Sequence, residues 1–197
     1  MSAIQVPRIG AEEYLRREGP AAFRSEYCRG RIVAMAGASP THNLIVGNLI
    51  YALNAQLRTR PCRVYANDQR VSVGAGLGYY YPDVVVTCGR QIFDEDQKDT
   101  LVNPIVIIEV LSKSTEAFDR VEKFHDYLSI PSLRGYVLVN QTPRRFEIYQ
   151  RQDDNSWRYE SWPFSPPPFV LQSIDCTLVP EDVYLKVEND EAGGGET

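Results

Sequence analysis

Apolar residues recur along this chain in two rhythms, one of helices and one of strands. After Ser39, the residues Leu44, Ile45, Leu49, Ile50, Leu53 and Leu57 return at helical spacing. Ser39-Pro40 is a helix start, with serine as N-cap and proline at the first helical position, and the helix must stop before Pro61. A shorter helix fits Glu12 to Glu18, and another runs from about Glu116 to Ser129, ending before Pro131. The strand rhythm appears in Asp83-Val-Val-Val-Thr87, in Ile105-Val-Ile-Ile-Glu-Val-Leu111 and in Arg134-Gly-Tyr-Val-Leu-Val-Asn140. The second of these is apolar on both faces, as expected of a strand covered on both sides by helices. Phe23 to Met35 reads as a hairpin turning near Gly30, and Arg63-Val-Tyr65 and Arg70-Val-Ser-Val73 as short strands. Arg145 to Gln150 and Ser156 to Trp162 continue as a meander.

A strand, a helix and a strand over 105–140 imply one parallel crossover, while the hairpins around it imply antiparallel neighbours. The expected fold class is therefore α/β (α+β), a mixed β-sheet flanked by helices, with an N-terminal hairpin and a C-terminal β-meander. One domain over residues 1–187 is expected, followed by an acidic, Gly-rich flexible tail over 188–197. Pro163 to Pro168 reads as a proline-rich loop.

Composition narrows the class of protein. Of 197 residues, 43% are hydrophobic and 24% charged, ordinary for a globular chain. No apolar run approaches the roughly 18 residues of a membrane helix, and the first ten residues hold no secretory stretch. The expectation is a soluble, cytoplasmic protein. The net charge of −5 is concentrated at one end, because Glu181 to Thr197 holds six acids and one lysine. Subtracting these from 21 basic and 26 acidic residues leaves 20 of each over 1–180, so no basic footprint for nucleic acid stands out. The four cysteines, Cys28, Cys62, Cys88 and Cys176, include no CxxC pair, and reduced, mostly buried thiols are expected.

The chemistry lies in the buried segments. Glu109 interrupts an apolar strand, where an unpaired charge must pair, neutralise or bind a metal. Asp83 raises the same question one strand earlier. Two carboxylates on neighbouring strands make a hard-oxygen cradle suited to Mg2+ or Mn2+, although either acid alone could be salt-bridged or cap a loop. On the helix that follows, Asp119, Lys123 and Tyr127 share one face, while Phe118, Val121, Phe124 and Leu128 form the apolar side. Lys123 is then either half of a solvated Asp–Lys pair or a cation folded back over the carboxylates, where it could orient water. His42 sits in a helix first turn that favours anions, yet reads more simply as a surface histidine, and His125 faces away from Lys123. Neither histidine has metal-ligand spacing, and no G-x-G-x-x-G, Walker loop or nucleophile elbow occurs.

Tyr81-Pro82-Asp83-Val84, Glu109-Val-Leu-Ser-Lys-Ser-Thr115 and Asp119…Lys123…Tyr127 together resemble the Uma-two family, grouped with restriction endonucleases of the PD-(D/E)xK nuclease superfamily. The resemblance extends to Glu26…Gly30-Arg-Ile-Val33, to Ser39-Pro-Thr-His42 and to Gly135-Tyr-Val-Leu-Val139, covering roughly residues 10–185. It implies a restriction-endonuclease-like core with a divalent metal, Mg2+ or Mn2+, held by Asp83 and Glu109. The lysine slot two residues after the glutamate holds Leu111, so the plain motif is broken. The family's displaced lysine maps onto Lys123, with Lys113 a second candidate, and Glu26 matches an N-terminal glutamate that would assist as a ligand or water-positioning group. The catalytic set so implied is Asp83, Glu109, Lys123 and Glu26, with His42, Lys113 and Tyr127 as secondary candidates. The expected activity is metal-dependent hydrolysis of DNA phosphodiester bonds, with DNA as partner and a homodimer as assembly. The alternative is a catalytically inactive module of the same fold that binds DNA or a protein.

Overall fold

The computed structural model describes residues 8–35, 37–74, 76–162 and 166–188. Part of the proline-rich loop (Pro163 to Ser165) and, Glu188 apart, the expected tail lie outside them. Helix α1 (Ala11–Glu18) precedes the hairpin of β1 (Ser25–Cys28) and β2 (Arg31–Ala34). Arg29 and Gly30 at the tip both have positive φ, 47° and 93°, as a two-residue turn matched to strand twist requires. A Cβ on Gly30 would also meet the Arg8 side chain at 2.9 Å, so the position demands glycine.

Helix α2 (Pro40–Leu57) begins as the sequence predicts, Ser39 Oγ accepting from the His42 N–H at 3.1 Å. Its inner stripe is Ile45, Val46, Leu49, Leu53 and Leu57. Leu44 is 42% exposed, a correction to the expected apolar face, because Leu44 lies about 100° around the helix from Ile45.

Strands β3 (Cys62–Ala66), β4 (Arg70–Val73), β5 (Gly78–Tyr80), β6 (Val84–Cys88), β7 (Thr100–Leu101) and β8 (Val106–Leu111) follow. The crossover from β8 is then built of α3 (Glu116–Phe118), a π-helical turn (Asp119–Lys123) and α4 (Phe124–Leu128). It leads to the meander of β9 (Gly135–Asn140), β10 (Arg145–Arg151) and β11 (Trp157–Trp162). A small hairpin of β12 (Phe169–Leu171) and β13 (Cys176–Leu178) and the short helix α5 (Pro180–Val183) end the described chain.

The central sheet has six strands in the order β11-β10-β9-β8-β6-β3, with β8 and β9 parallel across the crossover and the other pairs antiparallel. A five-stranded sheet, β2-β1-β5-β4-β7, stands beside it. On one face of the central sheet, α2, the small hairpin and α5 cover Val84, Val86, Ile108, Val110 and Val137. Each such side chain withdrawn from water contributes about 1.5–3 kcal/mol. On the other face, Tyr80 and Tyr127 pack with Val85, Ile107, Leu111 and Leu138. All six residues of β8 are buried, as its unbroken apolar run requires.

Two expectations are corrected here. Cys62 and Cys88 are directly opposite in the β3–β6 register and form a disulfide, so two of the four cysteines are not thiols; Cys28 and Cys176 are free and buried. The 116–129 segment is not one α-helix. Asp119, Lys123 and Tyr127 point inward, Phe118 and Phe124 still pack against the core, and Val121, 65% exposed, departs from the expected apolar side. Among the described residues, no helix is long and apolar enough to cross a membrane.

Candidate active site

Side-chain alternation along β8 turns Ile107, Glu109 and Leu111 to the same face. Val84 of β6 pairs with Ile108, so Asp83, one residue earlier on the antiparallel neighbour, arrives opposite Glu109. The Asp83 N–H points at Glu109 Oε2 across 3.4 Å, and Asp83 Oδ2 accepts from the Val110 N–H at 2.8 Å. The two acids are therefore placed by strand register.

A third carboxylate comes from the five-stranded sheet. Glu26 on β1 is buried and its Oε1 accepts from the Tyr81 N–H at 3.0 Å. The π turn supplies the cation: Lys123 Nζ lies 2.8 Å from Glu26 Oε1, 3.2 Å from Glu109 Oε1 and 3.1 Å from Asp119 Oδ1. Its contact with Asp119 has the distance of an ion pair without hydrogen-bond direction, and Asp119 Oδ1 has no other partner. The Tyr127 hydroxyl donates to Glu109 Oε1 at 3.0 Å.

These contacts explain the ionisation of the group. Burial alone would pull Lys123 down, but Glu109, Glu26 and Asp119 together outweigh it and hold the ammonium well above its usual range. One ammonium cannot satisfy three carboxylates. Glu109 is thus pushed well up by burial, helped by Asp119, Asp83 and Glu26, and Glu26 is pushed up by burial that Lys123 only partly offsets. Burial likewise raises the Tyr127 hydroxyl, reinforced by Glu109, so it remains a donor.

A second network holds the hairpin against the crossover. Arg29 pairs with Asp126, which also accepts from the Tyr80 hydroxyl at 2.5 Å, and Arg31 pairs with Glu122. Glu26 and Lys123 sit on the two elements so joined.

The acids line a cleft of about 440 Å3 that Ser39, Ser112, Ser114 and Gln141 also line. His42 lies in it as well, which corrects the reading of a surface histidine: it is 8% exposed, with Nε2 3.2 Å from Asp83 Oδ2. Ser39 caps the helix and so fixes where this ring enters. Burial pulls the imidazole down, but its hydrogen bond to Asp83 and that carboxylate's charge more than compensate and raise it. Lys113 is exposed and does not line the cleft, and His125 is exposed.

Five carboxylates, of Glu26, Asp68, Asp83, Glu109 and Asp119, thus line the cleft, Asp68 at an exposed position, with Lys123 as its sole lysine among the described residues. Sequence reasoning passed over Asp119 as a site carboxylate, although its i, i+4 relation to Lys123 was the available signal. It also missed the Tyr81 and Val110 N–H groups, which no side-chain pattern could reveal.

A central mixed sheet flanked by helices, with acids on neighbouring strands and a lysine on the crossover between parallel strands, defines a restriction-endonuclease-like fold. The chain belongs to the Uma2 (Uma-two) family, described as "Putative restriction endonuclease", whose model matches residues 11–178. Two proteins of Synechocystis sp. (strain ATCC 27184 / PCC 6803 / Kazusa) are similar along most of their length. Uncharacterized protein sll1609 is 37% identical over 149 residues, 76% of this chain and 84% of the relative. Uncharacterized protein slr1290 is 35% identical over 180 residues, 90% of this chain and 92% of the relative. A crystal structure from Anabaena variabilis ATCC 29413, described as a "putative nuclease belonging to DUF820", shares the fold with a TM-score of 0.72 at 19% identity, covering 89% of this chain and 97% of that one.

Proposed function

We propose that this protein is a metal-dependent endonuclease that hydrolyses DNA phosphodiester bonds. The observation that carries the proposal is the register-paired Asp83 and Glu109 lining one cleft, with Lys123 Nζ 3.2 Å from Glu109. Among the described residues, no group of three or more His, Cys, Asp or Glu side chains is arranged to hold a metal ion unaided. The donor set nonetheless fits a hard divalent cation completed by other oxygens. Five carboxylates outnumber one ammonium, Asp119 Oδ1 is buried without a hydrogen bond, and both hydrogen bonds found on the Asp83 carboxylate go to Oδ2, leaving Oδ1 without one. Asp83 and Glu109 would hold Mg2+ or Mn2+, which when bound supplies positive charge to the scissile phosphate.

The chain's own groups do the rest. Lys123, charged and immobilised by its three acids, orients a water beside Glu109 and offsets charge developing on the phosphate. Glu26 holds Lys123 in place and would share that water's proton. Tyr127 fixes the rotation of the Glu109 carboxylate. Lys123 is preferred to Lys113 because Lys113 lies outside the cleft. A two-fold dimer would offer one such cleft to each strand of a duplex.

The test is cleavage of an end-labelled duplex in Mg2+ and Mn2+. Wild type should cut, EDTA should stop it, and Asp83→Asn and Lys123→Met should each lose at least about 100-fold. Lys113→Met should stay within about threefold of wild type, since it touches no group in the cleft. Undiminished cleavage by Asp83→Asn would overturn the site assignment. A wild type that neither cuts nor binds metal would leave a nuclease-fold module that binds DNA or a protein.

A further inference from the structure

Among the polar side chains that line the cleft without a role in the proposed chemistry, His42 is buried against one of the candidate metal carboxylates. His42 is more than nine-tenths buried, yet its Nδ1 has no partner and its only side-chain hydrogen bond found runs from Nε2 to Asp83 Oδ2 at 3.2 Å. A buried ring nitrogen without a partner is unfavourable for folding, so a residue kept only for packing would serve better as leucine or methionine. Local breaches of this kind are expected where function constrains the residue.

The geometry around Asp83 shows what the ring does. Asp83 Oδ2 receives two donors from different elements: the Val110 N–H at 2.8 Å from β8, and His42 Nε2 from the first turn of α2. Two donors converging on one oxygen fix the rotation of the carboxylate about its Cβ–Cγ bond. The other oxygen, Oδ1, is thereby directed away from both donors. The Val110 N–H alone cannot do this, because a single hydrogen bond still permits the carboxylate to swing about the shared axis. The histidine is itself rigid. Pro40 fixes the entry into α2, and Ser39 Oγ accepts from the His42 N–H at 3.1 Å. The side chain leans toward the helix N-terminus, as helical side chains do, and so reaches Asp83 in the cleft.

We infer that His42 is a positioning residue that donates through Nε2 to Asp83 Oδ2 and so presents Asp83 Oδ1 as the cation-binding oxygen of the cleft. The inference rests on the metal-dependent reading given above. It assigns His42 no contact with substrate; the ring acts through Asp83. Partners that orient a metal-binding carboxylate typically matter about 10- to 100-fold in metal affinity.

The experiment is calorimetric titration of metal-free wild type, His42→Ala and His42→Gln with Mn2+ alone, with the melting temperature of each measured in EDTA. Glutamine places an amide N–H near the position of Nε2 without an imidazole, so it separates the hydrogen bond from the ring. His42→Ala should bind Mn2+ about 10- to 100-fold more weakly than wild type. His42→Gln should recover most of that loss while melting close to wild type. Wild-type affinity in a folded His42→Ala overturns the inference and leaves the nuclease reading intact. Equal losses in folded His42→Ala and His42→Gln also overturn it, since the N–H would then not be what matters. If His42→Ala does not fold, the glutamine variant decides alone: retained affinity supports the inference and lost affinity ends it. A wild type that binds no Mn2+ overturns the metal-dependent reading and this inference together.

Discussion

Around Lys123 the charges do not balance. Glu26, Glu109 and Asp119 share one buried ammonium, so removing it strands all three. Lys123→Met should lower folding stability by about 3–5 kcal/mol, measured by urea unfolding, because it uncovers buried carboxylates. A loss under about 1 kcal/mol would mean that water already reaches the cluster. The pH dependence follows from Glu26, whose proton the folded protein keeps above the ordinary 4.5 because the group is buried. Its contribution to stability is complete below that value and is lost as pH rises through the folded value. The melting temperature of Glu26→Gln in EDTA should therefore gain on wild type between about pH 4 and about pH 7.5; a constant gap would contradict the burial argument. At this scale the sequence was legible wherever a carboxylate interrupted an apolar run, as at Glu109 and Asp83. It was silent on Glu26 without the family resemblance, because Glu26 lies among polar residues and owes its burial to sheet pairing with β5.

The crossover after β8 shows how one element decides which residues meet. A regular helix drawn through 116–129 gives Phe118, Val121, Phe124 and Leu128 the inner face. The π turn over Asp119–Lys123 adds a residue to one turn, so that the polar set is buried together with Phe118 and Phe124 while Val121 is left out. Helical periodicity carries no signal for that extra residue, so the spacing of Asp119, Lys123 and Tyr127 was readable but their burial was not. Val121→Ser should accordingly change stability by no more than about 0.5 kcal/mol in urea unfolding. A loss of about 2 kcal/mol would restore the regular helix. Strands were the easier elements, since β6, β8 and β9 are long apolar runs. Which of them are neighbours followed from the crossover for β8 and β9 only; the antiparallel place of β6 beside β8 comes from long-range pairing.

In the whole molecule, two sheets and a crossover converge on one cleft, and the mixed central sheet was foreseeable from the order of strands and helix. The second sheet was not, because β4, β5 and β7 are only four, three and two residues long. Nor was the disulfide: Cys62 and Cys88 are 26 positions apart and meet only through the β3–β6 register. Alkylation of the unfolded, unreduced protein should label two cysteines, Cys28 and Cys176, and reduction should cost about 3–4 kcal/mol of stability for a loop of this length. Four labelled cysteines would contradict the pairing. The claim that ties these scales together is that register, hairpin and π turn assemble a hydrolytic centre for DNA. Its most direct test is conversion of supercoiled plasmid to open circle by metal-free protein supplied with Mn2+, comparing wild type with Glu109→Gln. The account predicts nicking that starts on Mn2+ addition in wild type and is absent in Glu109→Gln. Equal nicking by both, or none by a wild type that leaves Mn2+ unbound, would contradict it.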